Sequence, residues 1–574
     1  MSDAPYLVRL VGAAILFLAF IACGGGGDHR HPATPSATTT GTRTATATTT
    51  ATATVTTSPT NTATRTPTHT APPTATDTAP PTPTATATAT ATPNPLRLLP
   101  LHAEPDAENG GRIVDSEGRE VLLRGVNVNA LVEYWAYSDL PTVYPVGEAD
   151  ADLMAAIGWN AVRLLLSWSR VEPQPGVYDD AYLEQARAHI RLFASRGLYS
   201  IVDLHQDAWG ATLVAPPETT CPANSEPAFG WDGAPGWATL DEGMSRCAQA
   251  GIRELSPAVR SAFQNFFADA SGPGGVGIRT RYAAMLGHVA NVLGSEPSVA
   301  GYDLMNEPNA FLPAEQAGLA ALYGDALAAI RSGERDAGSA SRLVFFEPSA
   351  LWSLLGHGPP DDFTRDADVV YAPHIYTGGI SPGSLTAANF QVARDEAKGF
   401  GGAPVVVGEW GADPHRASDP ADTYFADHQD LQDQFRFGAT LWTWREWCGD
   451  PHKAGDVRAG RVPEVWGEFE VDCSANVVTG LRTDLIAELT RAYVRAAPGT
   501  LVESRYDAAT GAFSARGANA PAGAQLVAFY PAAQHGEPAL VTTGLSAIEV
   551  IVAPSDNLYL RAQTLGGDWS LASQ

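Results

Sequence analysis

Residues Tyr302 to Pro308 read YDLMNEP. Tyr302 to Met305 have the character of the end of a buried strand. Asn306 and Glu307 stand at its tip, and Pro308, with no N–H to donate, stops further pairing. A carboxyl group at the mouth of a parallel sheet, beside a side-chain amide, suits delivery of a proton to a leaving oxygen. The same residues also fit a strand-ending turn with a solvated glutamate, so the choice rests on a second carboxylate. Glu409 supplies it: in VVVGEWG, residues 405–411, another short apolar run ends in a glutamate.

Outward from these two runs, strands and helices alternate. Strands are expected at 125–128, 161–166, 200–204, 299–305, 343–346, 369–372, 405–407 and 440–442, and helices at 150–157, 180–196, 278–293, 314–331 and 483–494. The strand runs are apolar without alternation, as befits strands covered on both faces. Eight such units in a β-then-α rhythm predict an α/β fold, a (β/α)8 TIM barrel over residues 96–495, with its active site at the C-terminal strand ends. GGRIVDSEGREVLLRG, just before the first strand, reads as a hairpin capping the barrel floor. Residues 210–273, rich in Gly, Pro and Trp, form a long insertion after the third strand. From 496 to 574 short runs separated by Gly, Pro and Asp predict a small antiparallel β-sandwich domain.

The flanks place the chain outside the cytoplasm. Arg9, the apolar run Leu10 to Ala22 and then Cys23 have the form of an export signal. It resembles a bacterial lipoprotein signal, in which Cys23 becomes the lipidated N-terminus and tethers the protein to a membrane. Phe20 stands where Leu is usual, and export with release is the alternative. Residues 24–95 are mostly Thr, Ala and Pro and cannot bury a core, so they read as a disordered stalk. Cys221, Cys247, Cys448 and Cys473 form an even set in an exported chain. They favour disulfides, and the local pairs 221–247 and 448–473 are expected.

A net charge of −27 argues against a nucleic-acid partner and against electrostatic attachment to anionic lipid, and leaves a neutral substrate such as a sugar. Thirteen tryptophans point the same way, because indole faces stack on sugar rings, although Trp equally fills large cores. No metal-ligand spacing and no nucleotide loop is present, so neither metal nor cofactor is expected.

The strand tips carry the chemistry. Arg163 lies inside an otherwise apolar strand, where a guanidinium needs partners, and is expected to point inward and hold a carboxylate. His205, Gln206 and Asp207 follow the third strand, Asn306 and Glu307 the fourth, His374 and Tyr376 the sixth, and Glu409 the seventh. Trp442 and Trp444 are two apart on the eighth and share a face. Two carboxyl groups across a barrel mouth suit glycoside hydrolysis. Glu307, with no cation beside it, is expected to hold its proton as the acid. Arg163 and a hydrogen bond from Tyr376 keep Glu409 anionic as the nucleophile. Asn306 is expected at the sugar 2-hydroxyl, His205 and Asp207 at other hydroxyls, and Trp444 beneath the ring.

NAVRL, DLHQDAWG, DLMNEP, APHIY, VVGEWG and LWTWREW, in this order, resemble glycoside hydrolase family 5, within the clan of retaining (β/α)8 hydrolases. The similarity runs from about residue 109 to 495. It implies Glu307 as acid/base and Glu409 as nucleophile, with supporting roles for Arg163, His205, Asn306, His374, Tyr376 and Trp444. The HQD triplet at His205 to Asp207 resembles the endoglycoceramidase-like branch, which implies a glycolipid substrate. So do YVRAAPGT and YDAATGAFSA near the C-terminus. After the first strand this chain reads NVNALVEYW, where that branch usually carries a lysine. An endo-β-1,4-glucanase acting on polysaccharide is the alternative, and a non-catalytic carbohydrate-binding lipoprotein a remoter one.

Overall fold

The computed structural model describes residues 96–573 apart from 217, 229, 250, 351, 353–357 and 361–362. The export signal, Cys23 and the stalk lie outside the described residues.

Eight parallel strands form one sheet: Arg124–Val128, Ala161–Ser167, Tyr199–His205, Val299–Asp303, Leu343–Phe346, Val369–Tyr371, Val406–Trp410 and Gly438–Leu441. Their spatial order runs from the sixth down to the first, then the eighth and the seventh. A parallel bridge between Tyr371 and Val405 joins the sixth and seventh and closes the barrel. All eight strands fall within one to three residues of their expected places.

Alternation along each strand splits the barrel into two cores. Val162, Leu164 and Leu166, Val202 and Leu204, Val344 and Phe346 face outward against the helices. Ala161, Ile201, Phe345, Val370 and Val406 face inward and fill the floor. Arg112–Asp115 pairs along its length with Leu101–Glu104, a strand the sequence reading did not include, and with Arg119–Glu120 only at Val114 and Glu120, and Leu101, Ala103 and Ile113 pack onto that floor.

The hairpin also extends the C-terminal region. Its strands and Arg119–Glu120 continue through Tyr493–Pro498, Gln525–Tyr530 and Leu558–Gln563 to Glu549–Val552, a seven-stranded sheet. A four-stranded sheet of Thr500–Asp507, Ala512–Ala520, Gly567–Ser573 and Leu540–Thr543 accompanies it. Phe513, Ala515, Leu526, Phe529, Leu560 and Leu571 fill the core they share, which makes the sandwich. The helix expected over 483–494 stops at Leu489, and Tyr493–Pro498 is a strand. Tyr493 and Val494 favour extended backbone, and pairing with Gln525–Tyr530 satisfies their polar groups.

Arg495 joins the two halves of this unit. It is buried, and its guanidinium donates to the carbonyls of Gly158 and Trp159 at 2.8 Å each and of Gly197 at 2.8 Å. Gly158 ends one barrel helix and Gly197 follows another, so a cation here also meets the negative ends of two helix dipoles. Arg495→Met strips the donor from three carbonyls and is expected to cost about 2–5 kcal/mol. Urea unfolding checks this, with a lower midpoint at unchanged slope.

Candidate active site

Above the apolar floor the barrel interior turns ionic. Arg163, Asp203 and Asp303 occupy inward positions of the second, third and fourth strands, each at most 1% exposed. Arg163 Nε donates to Asp303 Oδ2 at 3.0 Å. Nη1 donates to Asn127 Oδ1 at 3.0 Å and to Glu409 Oε1 at 2.9 Å. Nη2 donates to Asn306 Oδ1 and to Glu347 Oε1, both at 3.0 Å, and lies 2.9 Å from Asp203. Four carboxylates thus surround one guanidinium. Burial pushes Asp303 up to about 6 despite Arg163, with Asp203 adding to the rise.

Glu409 stands at the tip of the seventh strand, buried. Besides Arg163 it takes a hydrogen bond on Oε2 from the Tyr376 hydroxyl at 2.8 Å. Burial and the neighbouring carboxylate push the Tyr376 phenol far up, so it stays protonated and donates. Glu307 is more open, with a third of its side chain exposed. Its backbone sits at φ +40°, in the left-handed region that L-residues avoid. Two contacts hold it there. Its N–H donates to Glu347 Oε2 at 2.9 Å, and its carbonyl accepts from Gln206 Nε2 at 2.9 Å.

His374 lies between the two glutamates. Its Nδ1 is 2.9 Å from Glu307 Oε1 and 3.5 Å from Glu409 Oε2, and its Nε2 is 3.1 Å from Glu347. Gly408 makes this possible, because a Cβ there would lie 2.9 Å from His374 Nε2. The ligating atoms of Glu307, His374 and Glu409 all fall within 4.8 Å of one another. Burial works against the imidazolium charge, but Glu347, Glu409 and Glu307 together hold its proton well above the ordinary histidine range. The expectation that Glu307 has no cation beside it is therefore corrected. Burial pushes its carboxyl up, and the His374 hydrogen bond and charge outweigh that and lower it.

The other side of the site lies beyond the third strand. His205 Nδ1 meets Asp203 Oδ2 at 2.7 Å, and its ring stacks on Trp442 with centroids 5.5 Å apart. Asp207 accepts from Arg253 at 2.6 Å and approaches His205 Nε2 at 3.4 Å. Burial raises its carboxyl, but Arg253 and His205 outweigh that and hold it low. Arg253, Trp231 and Asp232 come from the insertion, and the guanidinium lies over the Trp231 ring at 3.1 Å. Burial and the nearby Asp207 and Asp203 push Asp232 up to about 7, against His205.

Eight of the nine residues singled out in the barrel converge here. Trp444 does not. The eighth strand ends at Leu441, so the two-residue alternation does not extend to Trp444. Trp444 is 1% exposed among the outer core, its Nε1 donating to Asp150 at 3.0 Å. Trp442 takes the place at the site, packed with Tyr376 and Trp231. The sequence reading also passed over Asp203, Asp303 and Glu347. The first two are acids inside apolar strands, the signal that singled out Arg163. Glu347 begins a Glu-Pro pair after the fifth strand, as Glu307 does after the fourth.

The geometry agrees with known proteins. Residues 114–446 match the model of the cellulase family, glycosyl hydrolase family 5. An endogalactoceramidase crystal structure is similar at 35% identity and TM-score 0.72, covering 83% of this chain and 100% of that one. Endo-glycoceramidase II from Rhodococcus sp., in a complex with ganglioside GM3, is 26% identical with TM-score 0.61, over 80% and 98% of the two chains. Endoglycoceramidase I of Rhodococcus hoagii (strain 103S) is 28% identical over 282 residues, 47% of this chain and 52% of that protein. The chain thus spans about half the length of that curated relative.

Trp444→Phe removes the hydrogen bond to Asp150 and leaves a cavity, at a cost of about 1–3 kcal/mol in stability, with KM for an aryl β-glycoside unchanged. Trp442→Ala is expected to lower kcat/KM about tenfold or more. Steady-state kinetics beside thermal melts separates the two.

Proposed function

We propose that this chain, which belongs to glycosyl hydrolase family 5, is a retaining β-glycosidase that cleaves the bond between a sugar and a lipid aglycone. One observation carries the mechanism: carboxylate oxygens of Glu307 and Glu409 lie within 4.8 Å of each other. A retaining pair is separated by about 5–5.5 Å, and an inverting pair, which must admit a water, by about 6.5–9.5 Å.

In the first step Glu409 Oε attacks the anomeric carbon as the bond to the glycosidic oxygen breaks, and Glu307 gives that oxygen its proton. In the second, Glu307 takes a proton from water, the water oxygen bonds to the anomeric carbon, and Glu409 leaves with its electron pair. Arg163 and Tyr376 hold both oxygens of Glu409 and aim its lone pairs. Asn306 uses Oδ1 on Arg163 and one amide N–H on the Gln206 carbonyl, which leaves the second N–H for a sugar hydroxyl. His205 Nε2 and Asp207 face the same space.

The lipid aglycone rests on the similarity to an endogalactoceramidase and to the GM3-bound enzyme. The polysaccharide alternative calls for an open cleft lined by exposed indoles. All thirteen tryptophans are instead buried or half-buried, and Trp209 and Trp231 of the insertion are spent on packing. The disulfides Cys221–Cys247 and Cys448–Cys473 suit an oxidising compartment. They support export, with Cys23 as a membrane tether that would hold the enzyme near its substrate.

Mass spectrometry after incubation with glucosyl-, galactosyl- and lactosylceramide and with cello-oligosaccharides decides the substrate. Release of ceramide is expected, and release of cello-oligomers alone would reject the lipid reading. Glu409→Ala is expected to lose a thousandfold or more in kcat, about 4 kcal/mol of barrier. The pH profile follows from Glu307. Its lowered carboxyl must be protonated to act, so kcat/KM, which reports the free enzyme, falls as pH rises through that low value. Bound substrate covers the exposed third of the side chain and favours the neutral form. The basic limb of kcat is therefore expected at higher pH than that of kcat/KM.

A further inference from the structure

Glu347 is a buried acid that meets Arg163, His374 and the Glu307 backbone. It follows the fifth strand and is 1% exposed. Its Oε1 meets both cations of the site, Arg163 Nη2 at 3.0 Å and His374 Nε2 at 3.1 Å. Its Oε2 accepts the N–H of Glu307 at 2.9 Å. Its main chain is fixed from outside the barrel, where the Tyr323 hydroxyl donates to its carbonyl at 2.9 Å.

We propose that Glu347 is a positioning residue for the acid/base: it holds the Nε2 proton of His374 and the backbone of Glu307, and so sets how firmly Glu307 keeps its proton. The inference rests on the reading of Glu307 as the acid/base.

The chain of contacts is Glu307 Oε1, His374 Nδ1, His374 Nε2, Glu347 Oε1. With the Glu347 charge 3.1 Å from Nε2 favouring a proton there, Nδ1 is left to share one proton with Glu307 at 2.9 Å, accepting it when Glu307 is protonated and donating when it is not. The proton that Glu307 delivers to the leaving oxygen is therefore held by three groups. No other part of the site supplies that anchor. Glu409 is occupied by Arg163 and Tyr376, Asp303 by Arg163, and Asp203 by Arg163 and His205. The charged groups facing Glu347 are Arg163, His374, Asp303 and the Glu307 carboxyl. Tyr282 and Tyr323 face it from two helices and Tyr371 from the sixth strand, all three phenols pushed up by burial and by acids that include Glu347 itself. Every group recorded against the Glu347 carboxylate is a donor or a cation, Arg163 Nη2, His374 Nε2 and the Glu307 N–H, so it stands here as the anion.

Glu347→Gln keeps the shape and removes the charge. Without that anion the shared proton leaves more easily, so the basic limb of kcat/KM is expected to move down by roughly one pH unit or more. Aryl glycosides show where the defect lies. Methylumbelliferyl and alkyl glycosides, which need the acid, are expected to lose rate about ten- to a hundredfold, and dinitrophenyl glycosides little. Glu347→Asp is expected to restore part of the limb. A limb unmoved in Glu347→Gln, or equal loss on both leaving groups, overturns the proposal. The 15N resonances of His374 give a readout that needs neither turnover nor a folded variant. In the wild type its imidazolium is expected to persist well above the ordinary value of about 6.5 with Nε2 protonated. Titration at that ordinary value, or an Nδ1–H tautomer, overturns it as well. A wild type with no turnover on any glycoside would reject the glycosidase reading, and the 15N result would still judge Glu347.

Discussion

Arg163 is the constraint on which the site depends. A guanidinium in a barrel interior is tolerable only if every N–H finds an acceptor and the charge is answered. Here its three nitrogens are spent on Asp303, Asn127, Glu409, Asn306 and Glu347, with Asp203 beside them. These partners come from the first, third, fourth, fifth and seventh strands or the residues just after them, and Arg163 itself from the second. Satisfying one side chain therefore fixes the relative height of six strand tips. The two glutamates at the mouth inherit that precision, Glu409 directly and Glu307 through Glu347.

The loops that complete the site have no comparable core and are held by covalent and aromatic contacts. Cys221–Cys247 closes the stretch that carries Trp231 and Asp232, and Cys448–Cys473 closes the one that carries Asp450 and His452. The two stretches meet where Trp231 and His452 touch edge to face at 4.1 Å. Arg253 lies on the other side of Trp231 and reaches Asp207. Small loops that bury little apolar surface gain order from disulfides. In this chain both disulfides stiffen loops on the same side of the barrel mouth, the side where His205 and Asp207 await hydroxyl groups.

The barrel was legible because buried parallel strands and strand-ending Pro and Gly leave local marks, and because a charged residue inside an apolar run demands explanation. That logic found Arg163 and applies equally to Asp203 in SIVDL and Asp303 in YDLM. Glu347 left no such mark, since nothing local tells which acids after a strand turn inward. Two failures share one cause, which is that they depend on where the chain goes after a strand stops. Trp444 obeys the strand rule only if the strand continues past Leu441, and it does not. The helix drawn through Tyr493 yields to a strand because a distant partner, Gln525–Tyr530, is there to pair. His374 beside Glu307 is of the same kind, a contact between the fourth and sixth strand tips that only closure of the barrel creates.

The ion balance explains what such a site can accept. Asp203, Asp303, Glu347, Glu409 and Glu307 converge with Arg163 and His374 as the opposing cations, so acids outnumber bases even before Asp207 and Asp232 are added. A surplus of anionic groups repels anionic substrates and is indifferent to a neutral sugar. In the transition state positive charge develops at the anomeric carbon and ring oxygen. Fixed negative groups aimed at that place stabilise it more than the ground state, which is the condition for catalysis and not merely for binding. The surplus would be self-defeating if every acid ionised, since mutual repulsion would open the barrel mouth. Burial works against that by keeping a proton on Asp232 near neutral pH, with Asp207 and Asp203 adding to the rise.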